Sequence, residues 1–519
     1  MSLLRLKTQR VLTGTAAVRL LIIFLIILFL ASYLVGLPWS PAPLFQDESD
    51  GLARALYWSS FGKTFEGVRW PVLIPWSGQF YSFPAYFYSV AIWSKLFAGD
   101  VSFADLRALG SVFVAATALL VFVFARQIRI PKTYALLASL LYISSPQALL
   151  SYRIAWDPIV LPLQVLLAVV GCEYCFNKVD RIKSSDSNSN SWLCLFSVAA
   201  AGCLSGLLWY GYTAGRLISI LLFVLFALRI LLRSHLTISF RSKAVFVFAV
   251  AYLIAVFPVC VAILSDPLAL VRTSQELNQF TLLGFYSTIK SLLSHVSYFD
   301  YLIFWGDPQR RHSTGFGGVI GFSGWIILLC GLFAIIRGNL KPDERSGPSS
   351  SSSILGQPAG LVILYILIAT SPSALSFPEI HALRSSSAFP FWSILASLVF
   401  YRSQNGFCAS LGGRKGANLP VTVVALACAL FGFFVLQYQL SGSSFLASAQ
   451  QGATYPGISK EYFQHNAYLS SKSLSDVELL NRVALIDLPV SSDESRVLFE
   501  YLSRRLDSKT DVRPAFFDD

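Results

Sequence analysis

Residues 20–50 read LLIIFLIILFLASYLVGLPWSPAPLFQDESD: an unbroken apolar run, a proline-rich exit, then three carboxylates, Asp47, Glu48 and Asp50, within four positions. At 1.5 Å per residue the run from Leu20 to Leu37 is long enough to cross a bilayer. The preceding MSLLRLKTQR is basic, so the segment reads either as a cleaved signal peptide or as an uncleaved anchor with its N-terminus in the cytoplasm, and its length favours the anchor. An acidic cluster at the point where the chain leaves its first span is the feature the rest of the sequence has to explain.

Across 519 residues, 55% are apolar and 13% charged, a balance that soluble domains do not reach and multi-pass membrane proteins do. The net charge of +12 sits in short clusters between apolar runs, so it reads as a set of orientation signals and implies no nucleic-acid partner. The eight cysteines (172, 175, 194, 203, 260, 330, 408 and 428) lie in or beside apolar segments or in cytoplasmic loops, which implies no disulfide framework. Cys172-x-x-Cys175 has no second ligand pair nearby and reads as packing.

Apolar segments of spanning length follow the first at 108–125, 134–150, 158–176, 193–211, 217–233, 244–264, 319–336, 357–372, 388–401 and 419–438. One further stretch, FPAYFYSVAIWSKLFAG at 83–99, is ambiguous. If it spanned, the basic loop ARQIRIPK (125–132) would land outside, against the positive-inside rule, and every later loop would invert with it. It therefore reads as an amphipathic helix lying at the membrane interface.

With eleven spans, the loops carrying Arg126/Arg129/Lys132, Lys178/Arg181/Lys183, Arg229/Arg233/Arg241/Lys243, Arg337/Lys341/Arg345 and Arg402/Arg414/Lys415 all face the cytoplasm, and the C-terminus lies outside. SSDSNSNS (184–191) and RSGPSSSSS (345–353) read as flexible cytoplasmic linkers. The expectation is an all-α polytopic membrane protein of about eleven transmembrane helices over residues 1–440. Its outer loops run over 38–107, with interfacial helices, and 265–318. A small extracytoplasmic region of α/β type, 441–519, closes the chain.

This topology collects acids and bases on the outer face. Asp47, Glu48 and Asp50 leave the first span there; SYRIAWDPIV brings Arg153 and Asp157, and YGYTAGRL brings Tyr212 and Arg216. YFDYLIFWGDPQRRHSTGFGG adds Asp300, Asp307, Arg310, Arg311 and His312, and SPSALSFPEIHALRSSSAFP adds Glu379, His381 and Arg384. Each group has a plainer reading: the Asp47 cluster as helix-terminal charge, Asp157-Pro158 as an N-cap and first-turn pair, Gly306-Asp307-Pro308 as a turn. Arg216 could snorkel to headgroups, and Arg310, Arg311 and His312 could be a solvated run. Together on one membrane face, however, carboxylates and arginines suit a reaction between an anionic lipid and a nucleophile. Arginines grip phosphate, and a carboxylate takes the proton of an acceptor as the bond to the donor breaks.

In this order, KLFAG…LRALG (95–110), ISSPQALLSYRIAWDP (143–158), GLLWYGYTAGRL (206–217), GDPQRRH (306–312) and HALRS…FP (381–390) make the chain similar to the GT-C glycosyltransferases that use polyprenyl-phosphate sugars. The protein O-mannosyltransferases and the lipid A aminoarabinose transferases are the nearest branches, and the likeness covers roughly residues 15–440. The resemblance implies that Asp47 is the catalytic base or positions it, that Glu48 completes the acidic pair, and that Asp157 is the second acidic position. It assigns Arg153, Tyr212, Arg216, Arg310, Arg311, His312, His381 and Arg384 to the donor's phosphate and sugar. A divalent cation shared by Asp47 and Asp157 is a candidate cofactor. The WWDYG signature of oligosaccharyltransferases has no counterpart, which disfavours transfer of a preassembled glycan to Asn, and the C-terminal region is shorter than the soluble domain of many relatives.

The expected function is transfer of a single sugar from a polyprenyl-phosphate donor to a protein, lipid or polysaccharide acceptor on the extracytoplasmic face of a bacterial inner or plasma membrane. A transporter or lipid flippase, and an inactive homologue of the same fold, remain as alternatives. Of the features that would mark a transporter, the spans offer Glu173 as the main intramembrane charge.

Overall fold

The computed structural model describes residues 2–37, 46–64, 67–76, 80–82, 84–96, 103–180, 191–234, 236–266, 282–297, 300–304, 306–307, 317–336, 358–376, 381–410 and 418–440. Arg310, Arg311, His312, Glu379, most of both serine-rich linkers and the whole region 441–519 lie outside them. The described chain is a helical bundle. Its elements are α1 Ser2–Ser32, α2 Gln46–Phe61, α3 Pro84–Leu96, α4 Phe103–Gln127, α5 Lys132–Ile143, α6 Pro146–Ser151, α7 Val160–Val179 and α8 Ser191–Gly206. They continue as α9 Ala214–Leu231, α10 Ile238–Ser265, α11 Leu282–Ser297, α12 Phe322–Ile336, α13 Pro358–Ala374, α14 Phe389–Ser410 and α15 Asn418–Leu440.

Each of the eleven apolar segments falls on a helix. Seven helical stretches among the described residues are long and apolar enough to cross a membrane: Thr15–Ser32, Ala104–Gln127, Asp157–Val179, Trp192–Tyr210, Ala214–Leu231, Ile238–Ser265 and Pro420–Tyr438. Lys132–Ile143 and Pro358–Ala374 are apolar but shorter. The outward surface has the character of a lipid-facing one: on α10, Phe257 is 67% and Leu264 82% exposed while Phe248 and Val259 are fully covered. The chain is therefore a multi-pass membrane protein.

Several boundaries differ from the hydropathy reading. The window 134–150 is two helices, because Pro146 cannot continue α5 and instead opens α6 behind Ser145, whose hydroxyl accepts the Ala148 N–H. α4 starts at Phe103, ahead of the apolar run, so Arg107 belongs to a helix and not to the outer loop. Arg229 was assigned to a cytoplasmic loop; it lies within α9, buried, and closes an ion pair with Glu173 of α7. Its second nitrogen reaches Glu173 Oε2 at 3.2 Å, and the Tyr365 hydroxyl of α13 donates to the same carboxylate at 2.7 Å. Three helices are joined there by one neutralised charge pair. At the end of the bundle remote from the α1 exit, Arg233 pairs with Asp180 at 3.0 Å.

The first outer loop is folded and does not cross the membrane. At 13 residues, α3 is about 20 Å long, short of a hydrocarbon core of about 30 Å. It packs on α2, where Ser59 bonds the Ser94 hydroxyl at 2.9 Å and the Trp58 ring meets Tyr88 edge-on, with centroids 5.0 Å apart. A two-stranded antiparallel hairpin, β1 Ile74–Trp76 and β2 Phe80–Ser82, lies between them, an element that hydropathy gave no sign of. Trp93 Nε1–H donates to the Asp105 carbonyl at 2.7 Å, which ties α3 to the first turn of α4.

Candidate active site at one end of the bundle

Asp47, Glu48 and Asp50 fall in the first turns of α2, where carboxylates meet the positive end of the helix dipole; their side chains lie outside the described residues. The site can be built outward from the exit of α1, because two buried arginines converge there. Arg107 donates to the Leu37 carbonyl at 2.9 Å. Arg153 donates to the carbonyls of Tyr33 at 3.1 Å, Val35 at 2.7 Å and, more weakly, Ser32 at 3.4 Å. The last carbonyls of a helix have no partner within it and carry the negative end of its dipole, so guanidinium groups suit them. Burial, and then the charge of Arg107 beside it, pull Arg153 down to about 10 from the usual arginine range. At neutral pH it is still a cation.

Close packing makes this approach work. A Cβ on Gly110 would stand 1.9 Å from the Tyr152 carbonyl oxygen, so only glycine lets α4 come against the turn that carries Arg153. The Tyr142 and Tyr152 hydroxyls bond at 2.6 Å under that turn, and Tyr33 donates to the Ile143 carbonyl at 2.7 Å. Arg107 escaped the sequence reading because it was counted as loop; its place on the face of a helix that begins at Phe103 was the signal available.

Asp157 opens a short 3-10 turn, Asp157–Ile159, that leads into α7. Trp156, in extended conformation, takes the N-cap place, so Asp157 is a first-turn residue and not the cap. Against the beginning of α7 lies the 211–216 turn: a Cβ on Gly211 would meet Gln164, and one on Gly215 would meet Leu161. That turn places Tyr212 in the core and Arg216, in the first turn of α9, buried with its guanidinium 5.9 Å over the Trp209 ring. Arg216 thus turns inward and does not snorkel to lipid.

The third group comes from the second half of the chain. A cavity of about 10 Å³ is lined by Gln147, Ser151 and Tyr152, by Pro158 and Ile159, and by Leu383 and Ser386. The segment that holds His381 and Arg384 is thereby set directly against the one that holds Arg153 and Asp157. At about the size of one water, the cavity marks a closed seam and is not a sugar pocket. On the far side of the 381–385 turn, Asp307 is buried; its carboxylate accepts the Ala382 N–H and lies 3.9 Å from His381 Nδ1. The sequence treated Asp307 as a turn residue. Gly306 does turn, at φ 85°, but the turn aims Asp307 into the protein.

Of the expected site residues, the structure gathers Arg153, Asp157, Tyr212, Arg216, His381 and Arg384 at one end of the bundle, the end where α1 exits. Among the described residues no three His, Cys, Asp or Glu side chains come together as a metal-binding group. Seven of the cysteines are free thiols.

No protein-family model and no curated protein matches this sequence. Among solved structures, the chain is similar to ArnT from Cupriavidus metallidurans bound to undecaprenyl phosphate, with a TM-score of 0.46 and 14% identity over 93% of this chain and 76% of that one. It is also similar to the Archaeoglobus fulgidus oligosaccharyltransferase tethered with an acceptor peptide, with a TM-score of 0.44 and 12% identity over 86% of this chain. The chain spans 58% of that protein's length.

Proposed function

We propose that the protein is a GT-C-type membrane glycosyltransferase that moves one sugar from a polyprenyl-phosphate carrier to an acceptor on the extracytoplasmic face. The observation that carries this reading is the seam at the α1 end: the segment with Arg153 and Asp157 and the segment with His381 and Arg384 line one cavity, although more than two hundred residues separate them. In the proposed reaction an acceptor hydroxyl or amine attacks the anomeric carbon from the side opposite the phosphate. The carbon–oxygen bond to the phosphate breaks, and the lipid leaves as polyprenyl phosphate with the bonding pair. Asp47 takes the acceptor's proton, with Glu48 and Asp157 holding the nucleophile, and inversion at the anomeric carbon follows from the single displacement. Arg216, Arg384 and His381, with Arg310, Arg311 and His312 from the 306–312 segment, stabilise the charge that grows on the departing phosphate. Arg153 and Tyr212 shape the donor's seat. A cation between Asp47 and Asp157 would steady the same phosphate.

Support also comes from the fate of Glu173, the residue that most favoured a transporter. Its charge is closed in a pair with Arg229 and Tyr365, which fits a structural clasp better than an ion pathway. The test is transfer by the purified protein in detergent from radiolabelled polyprenyl-phosphate hexoses, with a membrane extract as the acceptor pool. Label in a new product is the expected result. Translocation of lipid or sugar in vesicles without any glycosylated product would replace this reading with a flippase.

A further inference from the structure

Two outer-end loops that are distant in sequence lock together around a carboxylate. Asp307 is brought inward by the Gly306 turn, and its side chain is wholly covered. A buried carboxylate is costly unless N–H donors or a cation face it. Here the Ala382 N–H donates to it, and His381 Nδ1 stands 3.9 Å away, inside ion-pair range and longer than a hydrogen bond. Contacts of this kind in ligand-free sites commonly tighten when the ligand arrives. The backbone of His381 is held from both sides: its N–H donates to Ser373 Oγ at 2.9 Å, and its carbonyl accepts from the Ser385 hydroxyl at 3.0 Å. Ser385 is braced in turn by the Tyr301 hydroxyl at 2.6 Å. Burial, and then the Asp307 charge, push Tyr301 upward, so that hydroxyl stays neutral. An imidazole facing a carboxylate on one nitrogen keeps its proton there, and the other nitrogen takes a defined role.

We propose that Asp307 is a positioning residue: it fixes His381 with a proton on Nδ1 and sets the 381–384 turn so that His381 and Arg384 meet the donor's phosphate as one unit. The substrate in this proposal rests on the glycosyltransferase reading; the Asp307–His381 coupling rests on the geometry alone.

Asp307→Asn separates the two jobs of the carboxylate, because an amide oxygen can still accept the Ala382 N–H while the charge is gone. The experiment uses the full-length protein in detergent micelles and reads the ¹⁵N imidazole signals of His381, assigned by their loss in His381→Gln, alongside kcat and KM for a polyprenyl-phosphate hexose. Asp307→Asn should shift the His381 signals and raise KM about tenfold with kcat nearly unchanged, as expected for one lost charge-assisted contact. Asp307→Asn/His381→Gln should be no worse than His381→Gln, and Asp307→Glu, which keeps the charge, should keep the wild-type signals. Identical His381 signals in wild type and Asp307→Asn would overturn the coupling. So would equal damage by the Asn and Glu variants, which would leave Asp307 a packing residue. If wild type transfers no hexose at all, the substrate reading fails, while the imidazole signals still decide whether Asp307 governs His381.

Discussion

Arg229 and Arg153 are both buried arginines, and the protein satisfies them in opposite ways. Arg229, inside the bundle, meets a carboxylate and a phenol hydroxyl and joins α7, α9 and α13. Arg153, at the end of the bundle, grips the carbonyls where α1 unwinds, with Arg107 at its side. A carboxylate cancels a charge, whereas carbonyl dipoles satisfy its hydrogen bonds. The first arrangement suits a structural joint in an apolar interior; the second suits a place where anions are to be handled.

Removing one partner should break the joint far more than it breaks the site. Glu173→Ala leaves Arg229 buried without its counter-charge and should cost about 3–5 kcal/mol of stability, read as a lowered unfolding midpoint in detergent. Replacing both Glu173 and Arg229 with methionine should recover most of that loss, since well-packed apolar pairs substitute for buried ion pairs at little cost. If the double variant is as unstable as Glu173→Ala, the pair does more than neutralise itself. Gly110→Ala should follow, at about 1–3 kcal/mol, because its methyl meets the Tyr152 backbone, which cannot give way as a side chain would. It should also lower transfer by displacing Arg153. Unchanged activity in folded Gly110→Ala would detach the α1 grip from function. The smallest stability effect, about 1–2 kcal/mol, is expected for Arg153→Lys, which retains charge but loses the planar fork that reaches Tyr33 and Val35 together. A stability loss matching that of Glu173→Ala would erase the distinction between the two arginines.

Much of this was legible in the sequence. The apolar windows located the helices, and charge parity alone kept 83–99 out of the membrane, where α3 proves too short to cross. The loops named for Arg153, Asp157, Arg216 and His381 come to one end of the bundle. What escaped depended on direction rather than composition. A window average cannot see that α4 begins in a polar stretch, so Arg107 was missed; nor can it see Pro146 dividing one apolar run into two helices. Asp307 reads as a turn because its neighbours are Gly and Pro, and only the fold shows that the turn points inward onto His381. Arg229 reads as a loop charge because nothing local reveals Glu173 waiting on α7, a partner 56 residues earlier.

The central claim is that the acidic exit of the first span drives sugar transfer. It is tested by comparing wild type with Asp47→Asn in the radiolabelled polyprenyl-phosphate hexose assay, at equal amounts of folded protein. Wild type should form labelled product and Asp47→Asn should be slower by about 10²–10⁴-fold, the usual contribution of a general base. Equal turnover by the two proteins would contradict the assignment of Asp47 as the base.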